Sequence, residues 1–229
     1  MSETVLSRQK TGGDSCSPAG RVTRSLLGYG VIAGPFYVIV ALAQALLRPG
    51  FNLAHDDVSL LSNGSFGWVQ IANFVLTGVM VIACSVGLGR ALDGGRGATW
   101  APRLLALYGA GLVFAGVFVA DPMNGFPAGA PAGRPDAMTV HGVLHIVAAG
   151  IGFMGLIAGC IVMARRFAAE KRRRWTAFSI VTGIAFLVAF GGVASGSSSP
   201  AVVFGFWAAL VLAWAWLASV SVDRYRRTT

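Results

Sequence analysis

The recurrence of apolar runs about as long as a bilayer core is thick constrains this chain most. Six stretches, roughly 25–47, 70–92, 103–121, 139–164, 175–194 and 200–221, approach the ~20 apolar residues that a helix needs to cross the hydrocarbon. In lipid, every backbone polar group must be satisfied within the structure. Uninterrupted apolar runs of this length do so as helices. The expected fold is therefore an all-α integral membrane protein, with six transmembrane helices in one bundle. The first run is too long for the apolar region of a signal peptide and reads as a retained anchor. Residues 1–24 are expected as a disordered cytoplasmic tail, 25–221 as the six-span membrane domain, and 222–229 as a basic cytoplasmic tail.

Charge distribution sets the expected orientation. Sixteen of the 18 lysines and arginines fall in the N-terminal tail, the second and fourth connections and the C-terminal tail. Only Arg48 and Arg134 fall on the other side. By the positive-inside rule both termini are expected in the cytoplasm, with Arg165, Arg166, Lys171, Arg172, Arg173 and Arg174 as the main topology anchors. The expected location is the plasma membrane, as a multi-pass protein with membrane lipids as partners. The cluster at 171–174 could also attract anionic headgroups. A net charge of +9 does not indicate nucleic-acid binding here, because the basic residues lie between apolar spans and not on one soluble face.

Only 12% of residues are charged, about half the share in soluble domains. Glycine is abundant, and Gly30 with Gly34 and Gly155 with Gly159 have the spacing that lets membrane helices approach closely or form a homo-oligomer. Cys16, Cys84 and Cys160 form no spaced framework. Cys84 and Cys160 lie in apolar runs and are expected as core residues.

The candidate chemistry gathers at the expected outer side. His141 and His145 open the fourth run in "TVHGVLHIVAAG", and four residues apart on a helix they share a face. Asp121 closes the third run in "FVADPMNGFP" and is their nearest acidic candidate. His55, Asp56, Asp57 and Ser59 lie in the first outer loop, "FNLAHDDVSLLSNGSFGW". Three readings stand side by side. The first is an Asp–His hydrogen-bond network that locks spans three and four. The second is a zinc site on His141, His145 and Asp121, with His55 a further candidate ligand; "HGVLH" lacks the glutamate base of the HExxH metallohydrolase motif. The third is a proton-relay, ligand-binding or haem role. In the first loop, Asn52 could cap a short helix with Leu53, Val58, Leu60 and Leu61 on its apolar side, lying flat on the surface or dipping in as a lid.

The segments "RPGFNLAHDDVSLLSNGSFGWVQIANFVLTG", "FVADPMNGFPAGAPAG" and "HGVLHIVAAGIGF" together resemble the bacterial membrane family catalogued as domain of unknown function 998, in particular its actinobacterial branch. The resemblance runs from about Leu26 to Val220. Its most specific parts are Asp121-Pro122 and the His-Gly-x-x-His opening of span four. It implies about six spans and an outer loop ending in a Ser-x-Leu element, which Ser59-Leu60-Leu61 matches; many relatives carry an acid at the Leu60 position. It implies no reaction. The acid-plus-HxxxH pattern is also similar, by analogy only, to membrane hydrolases of the alkaline ceramidase type.

The function expected from the sequence is a multi-pass membrane protein with no assigned activity, whose outward polar pocket binds a lipid or small molecule. The alternative is a zinc-dependent membrane hydrolase at the outer surface. A transporter is third, because no span interior carries an acid or base to drive coupling.

Overall fold

A computed structural model describes residues 17–228. Its six helices are α1 (Pro18–Leu47), α2 (Gly67–Ala91), α3 (Trp100–Val117), α4 (Val140–Ala169), α5 (Arg173–Ala194) and α6 (Pro200–Arg227). A 3-10 turn spans Val58–Ser62 between α1 and α2. All six helices are long and apolar enough to cross a membrane. The protein is a multi-pass membrane protein built from one helical bundle.

The ends of the helices differ from the sequence expectation for local reasons. Residues 18–24, expected as tail, form the first turns of α1: the Ser17 hydroxyl accepts from Gly20 N at 3.0 Å and Pro18 occupies the first turn. The expected disorder of the preceding residues and Cys16 lie outside the described residues. α3 stops at Val117, four residues before Asp121. Its 18 residues span about 27 Å, the least of the six. α6 continues to Arg227 through the expected basic tail, with Asp223, Arg224 and Arg227 held in ion pairs.

Each helix packs on its sequence neighbours, and α6 closes back on α1. The six therefore form a ring. Glycines allow the backbones of α2, α3 and α4 to touch. A Cβ on Gly78 would lie 2.5 Å from Gly109 O, and one on Gly111 would lie 2.6 Å from the Cα of Gly152. Of the spaced pairs, Gly30 and Gly34 seat α1 against α2 and α6 (a Cβ would meet Cys84 Sγ at 2.4 Å and Trp214 Cβ at 2.7 Å). Gly155 seats α4 against Leu104 O at 2.8 Å, whereas Gly159 has only ordinary contacts, the nearest at 3.7 Å. Cys84 and Cys160 are buried in the core.

The two ends of the ring differ in chemistry. At one end, Glu170 and Asp223 gather Arg166, Arg172, Arg224 and Arg227 into ion pairs that tie α4 to α6. Hydrogen bonds and charges from Arg224 and Arg166 outweigh burial and hold the Glu170 carboxyl below its usual range. At the other end, the α1–α2, α3–α4 and α5–α6 connections meet. His55 Nδ1 lies 2.9 Å from Ser198 O, and Asn124 Nδ2 donates to His55 O at 3.3 Å. The candidate residues of the sequence all lie at this second, loop end.

Candidate functional site

The joint between α3 and α4 carries the sequence's most specific residues. α3 ends in a turn whose last carbonyls lack helical partners. His145, one turn into α4, supplies one: its Nδ1 lies 2.9 Å from Ala115 O and 2.8 Å from Phe118 O. Two carbonyl acceptors on one nitrogen place the proton on Nδ1. The His145 ring is buried and meets Phe74 of α2 edge-on.

Asp121 repays this at the start of α4. Thr139 donates from its backbone N to Asp121 Oδ2 at 2.9 Å and from its hydroxyl to Oδ1 at 2.5 Å. With its proton so directed, the Thr139 oxygen accepts from Gly142 N at 3.0 Å and caps α4. A Cβ on Gly142 would fall 2.1 Å from Asp121 Oδ2, so the glycine of His-Gly-x-x-His makes room for this carboxylate. Each helix end is completed by a residue from the other helix's side of the joint.

The expected pairing of Asp121 with an imidazole is therefore corrected. Both Asp121 oxygens bind Thr139, and Asp121 reaches His145 only through its charge. His141 shares the face of His145 but lies exposed, touching the Phe118 ring at 6.0 Å between centroids. α3 has already ended at that level, so no helix covers it. His55 joins the α5–α6 turn through Ser198 O. Among the described residues, no three His, Cys, Asp or Glu side chains are grouped as a metal site requires. The geometry gives no support to zinc on His141, His145 and Asp121.

The first loop dips into the bundle. Val58, Leu60 and Leu61 are buried, and the Arg48 guanidinium holds the turn by donating to Leu61 O and Asn63 O. Asn52 does not cap this turn; its side chain accepts from Ala54 N at 3.0 Å in a local turn. Asp56 is buried and accepts from Asn52 N at 2.6 Å. Burial raises its carboxyl above the ordinary range against the pull of Asn52 and Asn124. Burial and the neighbouring Asp56 charge push the Asp57 carboxyl up to about 6, and Arg134 opposes that rise.

Beneath this loop is a cavity of about 420 Å³ inside the ring. Every helix contributes to it, with Tyr37, Phe74, Tyr108, Phe153, Phe190 and Phe206 among its walls. Asp57, Ser59, Asp121, Arg134 and His145 supply its polar groups. Sequence reasoning names four of these five and misses Arg134, which is visible there only as a cation on the sparsely charged side. It misses the aromatic wall, because six spans give no order around a ring. It also misses Thr139, although a threonine directly before an apolar run is an N-cap signal.

No curated protein and no solved structure matches the chain significantly. A family profile described as a protein of unknown function (DUF998) matches residues 31–223, almost the whole membrane bundle. The Asp121-to-Gly142 joint, the inserted first loop, all of α2 to α5 and most of α1 and α6 lie within that match, and the chain belongs to the DUF998 family.

Proposed function

We propose that this multi-pass protein binds an amphiphile or small molecule in the cavity of its helix ring, without catalysing a reaction. The observation that carries this reading is the cavity itself: a mostly apolar, aromatic-walled space of about 420 Å³ lined at the loop end by Asp57, Ser59, Asp121, Arg134 and His145. Ligand sites are commonly concave, mostly apolar and furnished with a few placed polar groups, at volumes of roughly 300–1,000 Å³. The polar groups do not form a catalytic set. Asp121 is committed to Thr139, His145 Nδ1 is committed to two carbonyls, and no nucleophile is hydrogen-bonded to a base among them. In this reading the loop end faces the cell exterior across the plasma membrane, supported by the placement of sixteen of the 18 basic residues on the opposite side.

The test is to purify the full chain in mild detergent, extract it with organic solvent, and identify retained small molecules by mass spectrometry. Ala149 lines the cavity, and Ala149→Trp fills it. A retained compound in wild type that is absent from a folded Ala149→Trp protein is the expected result. Equal retention by both proteins refutes the reading. Stoichiometric zinc, lost in His145→Ala, refutes it in favour of the hydrolase.

A further inference from the structure

The groups at the cavity mouth differ in how far the protein itself occupies them. Asp121 and His145 Nδ1 have protein partners, as described. Among the described residues, the Asp57 and Arg134 side chains form no hydrogen bond or ion pair. Every ion pair among the described residues involves Glu170 or Asp223, at the far end of the ring. Asp57 and Arg134 interact through charge, without direct contact, and both line the same cavity. Asp57 sits on the inserted first loop. Arg134 comes from the α3–α4 connection and lies over Gly196 in the α5–α6 turn, where a Cβ would meet its guanidinium at 2.4 Å. Opposite charges therefore reach the same cavity from separate loops, and Ser59 of the first loop also lines it.

We infer that the cavity takes a single-chain amphiphile with a zwitterionic head, its cationic group at Asp57, its anionic group at Arg134 and its chain among the aromatic side chains below. This inference rests on the binding reading proposed above and narrows it to a ligand class. The volume suits one chain, because drug-sized ligands fill pockets of this order and a two-chain phospholipid outgrows it. The charges select the head. An anionic head brings a like charge to Asp57 and Asp56, and a cationic head brings one to Arg134; juxtaposed like charges exclude wrong partners. The guanidinium fork favours phosphate or carboxylate as the anionic group.

The test uses the detergent-purified full chain at pH 8, titrated with four probes of equal chain length and read by native mass spectrometry. These are a lysophosphatidylethanolamine, a lysophosphatidylglycerol, a fatty acid and an alkyltrimethylammonium ion. The expected result is that the lysophosphatidylethanolamine binds about tenfold more tightly than any of the others, a difference of about 1.4 kcal/mol. Asp57→Asn should narrow its advantage over the lysophosphatidylglycerol, and Arg134→Gln its advantage over the cationic probe. Similar affinity for all four probes, each abolished by Ala149→Trp, overturns the zwitterion class and leaves the binding reading standing. Binding of none of the four overturns this inference, and if wild type also retains no compound on extraction the binding reading falls with it.

Discussion

Replacing Asp121 by alanine should destabilise the protein through Thr139, not through the histidines. The carboxylate accepts two hydrogen bonds from Thr139, at 2.9 and 2.5 Å, and the second orients the hydroxyl that caps α4. Hydrogen bonds to a charged group contribute about 1.5–3 kcal/mol each, less the cost of desolvating the carboxylate, so the loss should be about 2–4 kcal/mol. At ~2–4 °C per kcal/mol for a chain of this size, the midpoint should fall by roughly 5–15 °C. The assay is thermal unfolding in detergent at one scan rate, as a double-mutant cycle. Thr139→Ala alone should cost about 1–2 kcal/mol, since it removes the cap and one bond but keeps the backbone N–H. Asp121→Ala and Thr139→Ala should couple by about 1–2 kcal/mol, whereas Asp121→Ala and His145→Ala should couple by less than about 0.5 kcal/mol. A stronger coupling to His145 than to Thr139 would refute the reciprocal capping and restore an Asp–His pair.

Three further outcomes follow from the same geometry. Gly142→Ala places a Cβ 2.1 Å from Asp121 Oδ2 and should cost about 1–3 kcal/mol, and the penalty should disappear in an Asp121→Ala background. A thermal melt that shows the same penalty in both backgrounds would mean that the carboxylate is not what the glycine accommodates. Arg224 is buried, donates from Nη2 to both Glu170 oxygens at 3.2 and 3.1 Å and faces Asp223 Oδ2 with Nε at 3.4 Å, so Arg224→Ala should cost about 3 kcal/mol, and Arg224→Lys should recover only part because one ammonium does not face both carboxylates; a lysine variant as stable as wild type would contradict this. Asp57, facing Asp56 and Arg134 with His55 beside Asp56, has its carboxyl raised to about 6. The folded protein therefore holds this proton where the unfolded chain, with an ordinary aspartate near 3.9, has lost it. Stability should decline as pH rises from about 4 to about 6, and Asp57→Asn should make that slope shallower, leaving the part that the raised Asp56 carboxyl contributes. Parallel pH–midpoint curves for wild type and variant would disprove it.

The spans were legible because long apolar runs leave the chain no other fold in lipid, but their ends were not, because end residues answer to partners elsewhere. Pro18 starts α1 on a Ser17 cap although Arg21 and Arg24 make the segment read as tail. The shared face of His141 and His145 was readable from their spacing. Their unequal burial was not, since it depends on where α3 stops beside them. Asp121 was legible as important, but its partner was not. A carboxylate near an imidazole suggests a pair, and only the fold brings Thr139 within reach of both its oxygens. The cavity was invisible for a deeper reason. Tyr37, Phe74, Phe153 and Phe206 come from four different helices and face one space only once the ring order is set.

The seam between α1 and α6 gives the ring a temporal consequence. These helices are the farthest apart in sequence, yet their contact closes the wall. During synthesis α1 to α5 can pack as a chain of neighbours, each held by contacts that are local or nearly so. The cavity then stays open along one side until α6 slots between α5 and α1. Phe206 and Leu210, which complete its wall, arrive only with that last helix. A molecule that binds the closed cavity stabilises the finished ring and none of its precursors, so occupancy would act as a thermodynamic mark of a completed fold.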